Sequence, residues 1–411
     1  MTSRQRILDA IEHRQPDRVP IDFGGHRSSG IMAMGYARLK EALGISSGGL
    51  YVYDFIQQLA IVEPDVIDAV GGDTVELGRA FMPGDEGWKD WTLPDGTPCK
   101  IPAYLEVEKR GGDWWLLGEG GLELGVQKEG CLYFEQTHFP CLDRAFDEER
   151  FDDLEETFGR SMWLSTPHPG AHLALDEAGL AELAAGAARL RAATDRAIIG
   201  LFGGNLFEIP QFLYRIDNHL ANIGLYPEAH HRLLQKLCDL HMADLEKWLG
   251  AVGEHIDVIL FGDDLGGQTG PLISPAMYRE FLKPYHSKLW HRARELADAK
   301  VMLHSCGGLE PLLGDLIEAG LDTINPVQIT SEGMDPRHLK DAYGDRLCFW
   351  GGGCDTRDVL PHGTPQEVRD HVRRQVDIFG PGGGFVFQQV HNIMADVPAQ
   401  NIVAMFEAVN E

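Results

Sequence analysis

Short apolar runs, most of them ended by a glycine or a polar side chain, alternate along this chain with longer stretches of helical period. Thr2 to His13 reads as a helix capped by Thr2 or Ser3 and stopped by Pro16. The strand-like runs follow as Arg18–Gly24, Asp73–Gly78, Ala197–Gly203, Val258–Gly262, Lys300–His304, Thr323–Gln328, Arg346–Gly351 and Gly384–His391. Amphipathic stretches at Pro275–Leu296, Leu309–Ala319 and Pro365–Phe379 lie between the later ones. Short buried strands separated by helices predict a parallel sheet wrapped by helices. Eight such units in one chain predict a closed barrel rather than an open sheet. The expected fold class is therefore α/β, a (β/α)8 TIM barrel, forming a single domain over residues 1–411.

Residues 84–136 break the alternation. Asp95-Gly96, Gly111-Gly112 and Gly120-Gly121 sit there among Trp88, Trp91, Tyr104, Trp114, Trp115 and Tyr133. Turn dipeptides between aromatic and β-branched runs predict antiparallel hairpins, here inserted after the second barrel strand. Such an insertion either folds over the barrel mouth and serves the site, or forms a surface flap with no part in the chemistry.

Charge narrows the partners. The formal net charge is −27, spread along the chain, which disfavours nucleic acid and anionic membrane surfaces. No run of about 18 apolar residues offers a membrane span. The first residues lack the apolar core and cleavage site of a secretory signal, so a cytoplasmic location is expected. The cysteines are Cys99, Cys131, Cys141, Cys238, Cys306, Cys348 and Cys354. An odd number in a long chain, with no CxxC pair, predicts reduced thiols rather than a disulfide framework or a zinc finger.

Polar residues gather where the strands end. Asp263 and Asp264 follow the fourth run, His304 and Cys306 close the fifth, and Asn325 and Gln328 lie on the sixth. Gly351 to Asp355 follow the seventh, and His391-Asn392 ends the eighth. In a barrel these ends share one rim, where barrel active sites are built. Residues two apart on a strand point to one face, so His304 and Cys306 can aim an imidazole nitrogen and a thiolate at one point, a pair that suits zinc. His391 is the expected third ligand, carried to the mouth on the face of Phe385, Phe387 and Gln389; Cys354 is its rival. Asp264 is the natural fourth group, as an oxygen ligand or as an acid–base residue with His391. Asn205 and Glu208, after the third strand, line the pocket with Asp263 and Gln328, although Glu208 also suits a helix N-terminus. Gly351-Gly-Gly353 is read as close backbone packing rather than a phosphate cradle. His230 and His231 are read as surface residues of a helix, and His286 and His291 flank Trp290 on an outer helix with no role assigned.

The chain resembles the uroporphyrinogen decarboxylase superfamily nearly end to end. The resemblance is carried by Pro16-Asp-Arg-Val-Pro20, Asp263-Asp264-Leu-Gly, Gln268-Thr-Gly-Pro-Leu-Ile-Ser-Pro275, Tyr278 and Pro284-Tyr285-His286. It continues through His304-Ser-Cys-Gly-Gly308, Gly320-Leu-Asp-Thr-Ile-Asn-Pro-Val-Gln328, His391, Val397-Pro398 and Asn401. It implies a (β/α)8 barrel. Decarboxylases of that superfamily carry an arginine-rich segment after the first strand; here the place reads Gly24-Gly-His-Arg-Ser-Ser-Gly30, with Arg27 alone. The other branch holds zinc methyltransferases that exchange methyl groups with a corrinoid protein. Members acting on coenzyme M have a His-x-Cys pair, matched by His304 and Cys306, and a later cysteine that falls where this chain has His391. The resemblance implies a zinc enzyme with a small methylated substrate, such as a methoxylated aromatic, and a partner corrinoid protein carrying cobalamin. The alternatives are a metal-free decarboxylase using Asp264 and His391, a methylcorrinoid:thiol methyltransferase, and a barrel without catalysis.

Overall fold

The computed structural model describes residues 1–411 apart from 83, 167, 168 and 170. Thr74–Glu76, Ala197–Gly203, Val258–Gly262, Lys300–His304, Thr323–Asn325, Cys348–Trp350 and Phe385–Val386 pair in chain order into one parallel sheet of seven strands. An eighth stave closes it. Ile21 bridges Phe387 in parallel, the Asp22 amide donates to the Phe387 carbonyl at 2.9 Å, and the Asp73 amide donates to the Ile21 carbonyl at 2.7 Å. The run Arg18–Gly24 thus joins the last strand to the first, and the sheet is the TIM barrel expected from eight strand-like runs.

Side-chain alternation sorts the strands into two faces. Ile199, Val258, Leu260, Met302, Cys348, Trp350 and Val386 meet in one buried apolar cluster inside the barrel. Their neighbours Ile198, Ile259, Phe261, Val301, Leu303, Ile324, Phe349 and Phe385 belong to the outer core under the helices. Phe379 of the helix Pro365–Phe379 stacks on Phe385 with ring centroids 5.1 Å apart. That helix begins with a reciprocal capping box between Thr364 and Glu367, which explains why its boundaries were legible. The stretch read as Pro275–Leu296 is broken into Pro275–Met277, a π-helical turn at Tyr278–Leu282, and Lys283–Leu296.

The first helix, Ser3–Ile11, is capped by Thr2, whose hydroxyl accepts from the Gln5 amide. Its Ile7, Ala10 and Ile11 join the inner cluster, and the Gly384 amide donates to the Ala10 carbonyl at 2.7 Å. The helix therefore plugs the amino end of the barrel, leaving the carboxyl end open. Between Thr74–Glu76 and Ala197–Gly203 the chain forms antiparallel pairs. Trp88–Thr92 pairs with Pro98–Pro102, and Glu106–Arg110, Asp113–Leu117, Glu123–Gln127 and Glu135–Gln136 form a four-stranded sheet. It is anchored by the Phe134 amide on the Ile56 carbonyl at 3.0 Å, and by the Tyr133 hydroxyl on Met394 Sδ at 2.6 Å, just beyond His391.

One surface expectation is corrected. His230 is fully buried, its ring 5.4 Å from that of His219 and 5.2 Å from that of Phe281. The helix Pro227–Val252 is covered both by Ile216–Leu225 and by the π-helical turn, so its buried face is wider than one apolar stripe.

The plug yields a direct test. Ile7 is wholly enclosed, so Ile7→Ala should cost about 2–5 kcal/mol, from lost burial plus the cavity left behind. Urea unfolding measures it, and a loss under about 1 kcal/mol would mean that the helix does not fill the barrel.

Candidate metal centre

The inward positions change character toward the open end. Met302 is followed by His304 and Thr323 by Asn325 on the inner face, and the Lys300–His304 strand stays in register with its neighbours up to that point. His304 and Cys306 are half-buried, with Cys306 Sγ 3.6 Å from His304 Nε2. His391 joins them: one ligand atom from each of the three residues lies within 4.8 Å of the others. Two ligands of a tetrahedral zinc stand about 3.3–3.6 Å apart at ordinary bond lengths. The His304–Cys306 pair is already at that spacing, and His391 lies within the 4.8 Å that bounds the group.

His391 reaches the mouth by a route that simple alternation does not give. Phe385 and Phe387 face the outer core, and continued alternation would carry His391 outward with them. Strand pairing is instead interrupted between the Gln389–Cys354 and Ile393–Ile31 bridges, and the chain bends at Val390 and His391. Cys354, the rival ligand, is fully buried in the outer core and lies outside this group. Gly353 beside it fits the packing reading, because a Cβ there would lie 2.4 Å from the Phe387 ring.

Hydrogen bonds define which nitrogen of His304 is free. Asn325 Nδ2 donates to the Trp350 carbonyl at 2.9 Å, which fixes Asn325 Oδ1 as an acceptor. His304 Nδ1 lies 3.0 Å from that oxygen and must donate to it. Its Nε2 then carries the lone pair, on the side of Cys306. Burial lowers the pKa of His304 despite Asp264 and Asn325 nearby. Burial, followed by the charges of His304 and His26, brings His391 down to about 3. Burial pushes the Cys306 thiol well up, helped by Asp264 and Glu208. Two neutral imidazoles and a thiol that must lose its proton form a donor set that fits zinc.

Asp264 lies alongside. Its Oδ1 accepts from the Cys306 amide at 2.7 Å and is 3.7 Å from His304 Nε2. Glu208 begins the helix Glu208–Tyr214 and accepts from Asn205 Nδ2 at 2.6 Å. Burial, then Asp264 and Asp263, raise its pKa well above the carboxylate range. Gln328 Oε1 accepts from the Gly307 amide at 2.8 Å and so holds the loop after Cys306.

Asp263 does not fit the substrate-binding expectation. It is fully buried, and its oxygens accept from the amides of Leu206, Phe207 and Glu208 and from His286 Nε2 at 2.8 Å. It points outward with Phe261, clamping the helix that bears Glu208. His286, left without a role by the sequence, is its partner; the signal was its position one turn before Trp290, on which it stacks at 4.8 Å. His26 was also missed. It lies 1 % exposed in the loop after the Arg18–Gly24 stave, against Gln388, Ser28 and Asp22.

Comparison with known proteins agrees with this barrel. Residues 172–411 match the family model described as uroporphyrinogen decarboxylase (URO-D). A uroporphyrinogen decarboxylase of Psychromonas ingrahamii is 29% identical over 188 residues, 45% of this chain and 49% of that protein. A methylated-thiol–coenzyme M methyltransferase of Methanosarcina mazei is 28% identical over 209 residues, 50% of this chain and 51% of that protein. The chain thus spans about half the length of the curated relatives it matches. A solved methyltransferase from Methanosarcina mazei superposes with a TM-score of 0.58 over 100% of this chain and 98% of its own, at 14% identity, which shows the shared fold. With its matched region covering more than half of its length, this chain belongs to the uroporphyrinogen decarboxylase (URO-D) family.

Proposed function

We propose that this chain is a zinc-dependent methyltransferase that moves a methyl group between a small methylated substrate, such as a methoxylated aromatic, and a corrinoid protein carrying cobalamin. The observation that carries this reading is the convergence of His304, Cys306 and His391 at the barrel mouth. The relative named as a methylated-thiol–coenzyme M methyltransferase supports the same branch. So does the state of Arg27, the one arginine of the segment after the Arg18–Gly24 stave. It lies 3.3 Å from Asp54 Oδ2, and an arginine already facing a carboxylate is a poor anchor for a substrate with many carboxylates.

In this reading His304 Nε2, Cys306 Sγ and His391 hold the metal, and the fourth side faces Asp264 and the substrate. Zinc bound there supplies a Lewis acid for the heteroatom that gives up the methyl group. A docked corrinoid would supply the methyl acceptor and the electron pair of the new bond, and the leaving heteroatom would keep the pair of the bond it loses, beside Asp264. Asp264, on the open side of the group, is placed to hold a proton for that atom. Asn205, Glu208 and Gln328 line the substrate's polar end. The aromatic insertion, held over the mouth through Tyr133, forms the apolar wall. The corrinoid protein docks over the same mouth, because the corrin has to reach the methyl carbon. Residues 84–136 then act as an insertion serving one barrel domain, in a cytoplasmic enzyme.

Purified protein should bind about one zinc per chain, and Cys306→Ala should lose both the metal and methyl transfer. The half-exposed rim position should leave stability within about 1 kcal/mol of wild type. Metal analysis, methyl-transfer assay and urea unfolding of both proteins decide this; a metal-free wild type with a fully active Cys306→Ala variant would overturn the reading.

Uroporphyrinogen should release no carbon dioxide with this protein. Turnover to coproporphyrinogen at an ordinary enzymatic rate, followed by product chromatography, would show that the site accepts polycarboxylates.

A further inference from the structure

We propose that His26 carries a proton on both ring nitrogens beneath the metal centre, and that it acts through Ser28 and Asn325 as the positioning residue that holds His304 in its Nε2-ligand form. The metal role of His304 rests on the function proposed above; the charge of His26 does not.

The assignment follows from donor and acceptor accounting. Two side-chain amides in the network are pinned by backbone carbonyls, which only accept. Asn325 Nδ2 donates to the Trp350 carbonyl at 2.9 Å, and Gln388 Nε2 donates to the Ser28 carbonyl at 3.1 Å. Asn325 Oδ1 and Gln388 Oε1 are therefore acceptors, and Asn325 Nδ2 donates to Gln388 Oε1 at 2.8 Å in agreement. Ser28 Oγ lies 2.8 Å from Asn325 Oδ1 and must spend its one proton there. The same hydroxyl lies 2.9 Å from His26 Nδ1, and has only a lone pair left to offer. Nδ1 must carry a proton.

The other ring nitrogen meets acceptors as well. His26 Nε2 is 3.1 Å from Gln388 Oε1 and 3.1 Å from Asp22 Oδ2. Both nitrogens donate, so the ring is cationic. A neutral ring would set two lone pairs face to face in a region where His26 is 1 % exposed and Asp22 fully buried. The charge is balanced locally by the Asp22 carboxylate, which also accepts from the Trp350 indole at 2.8 Å, Thr74 Oγ1 at 2.6 Å and the Gly25 amide at 2.9 Å.

The direction of the chain of bonds gives it a task. From His26 Nδ1–H through the Ser28 hydroxyl, every link points at Asn325 Oδ1, which receives the His304 Nδ1–H at 3.0 Å from the other side. Asn325 cannot turn over without breaking its bonds to Trp350 and Gln388, and Ser28 cannot redirect its proton without facing the His26 N–H. His304 thus presents an Nε2 lone pair before any metal arrives, as ordered outer partners do for metal-binding histidines.

Two-bond proton–nitrogen correlation spectra of wild-type protein labelled with 15N-histidine, without added metal, test the assignment. His26 and His304 are identified by the loss of their signals in His26→Gln and His304→Ala. At neutral pH His26 should show protons on both nitrogens, and His304 a proton on Nδ1 alone. A bare nitrogen on His26, or an Nε2–H on His304, overturns the proposal. Zinc competition against a chelator then tests the coupling. Ser28→Ala should weaken binding about tenfold, the low end for outer-partner changes, and Ser28→Thr should restore it. Wild-type zinc affinity in Ser28→Ala, with His304 still protonated on Nδ1, overturns the positioning role. If the wild type binds no zinc, the metal reading falls, and the proton positions alone decide the charge of His26.

Discussion

A single buried carboxylate ties the barrel together where its sheet closes. Asp22 lies on the short eighth stave, fully enclosed, and accepts hydrogen bonds from Gly25, Ser29, Thr74, Trp350 and His26. Those donors come from the stave's own loop, from the strand on one side and from the strand beyond its other neighbour. Burial alone would raise the pKa of Asp22, but His26 and the other donors outweigh it and the net shift is downward. An isolated charge at this depth would cost several kcal/mol. The carboxylate is tolerable only when every donor is in place, so the polar upper layer of the barrel forms together or not at all. His304 inherits its orientation from that layer, through Asn325.

Asp263 and Asp264 show how alternation divides labour between neighbours. They are adjacent carboxylates at the end of one strand, with nearly the same composition around them in sequence. Asp263 shares the outward direction of Phe261 and disappears into the start of the helix bearing Glu208. Asp264 shares the inward direction of Gly262 and meets Cys306 and His304. Gly262 matters to this arrangement, since a Cβ there would lie 2.7 Å from Asn205 Nδ2.

Much of this was legible in the chain. Strand period located Ala197–Gly203, Val258–Gly262 and Lys300–His304 to the residue, because each is a continuous apolar run with a clear end. The spacing of His304 and Cys306 placed them together. His391 reached the expected place for a reason that alternation did not supply, since the bend at Val390 is a local event set by tertiary contact. Asp263 was misread because its three helix-amide partners begin at Leu206, far away in sequence. His26 was invisible for the same reason, as its partners include Gln388 from the far end of the chain.

The pairing of Ile21 with Phe387 also sets the order in which this protein can be made. Contacts between such distant positions are slow to form, because a very long loop has to close first. The early stave pairs with Asp73 long before its other edge can meet Phe387. Ile7, Ala10 and Ile11 share the inner cluster with Ala197, Ile199, Val258, Leu260, Met302, Cys348 and Trp350, and the cluster is completed when the strand carrying Val386 arrives. Nascent chains stalled before that strand present an unsealed apolar barrel end, a natural target for chaperones that bind exposed hydrophobic surface.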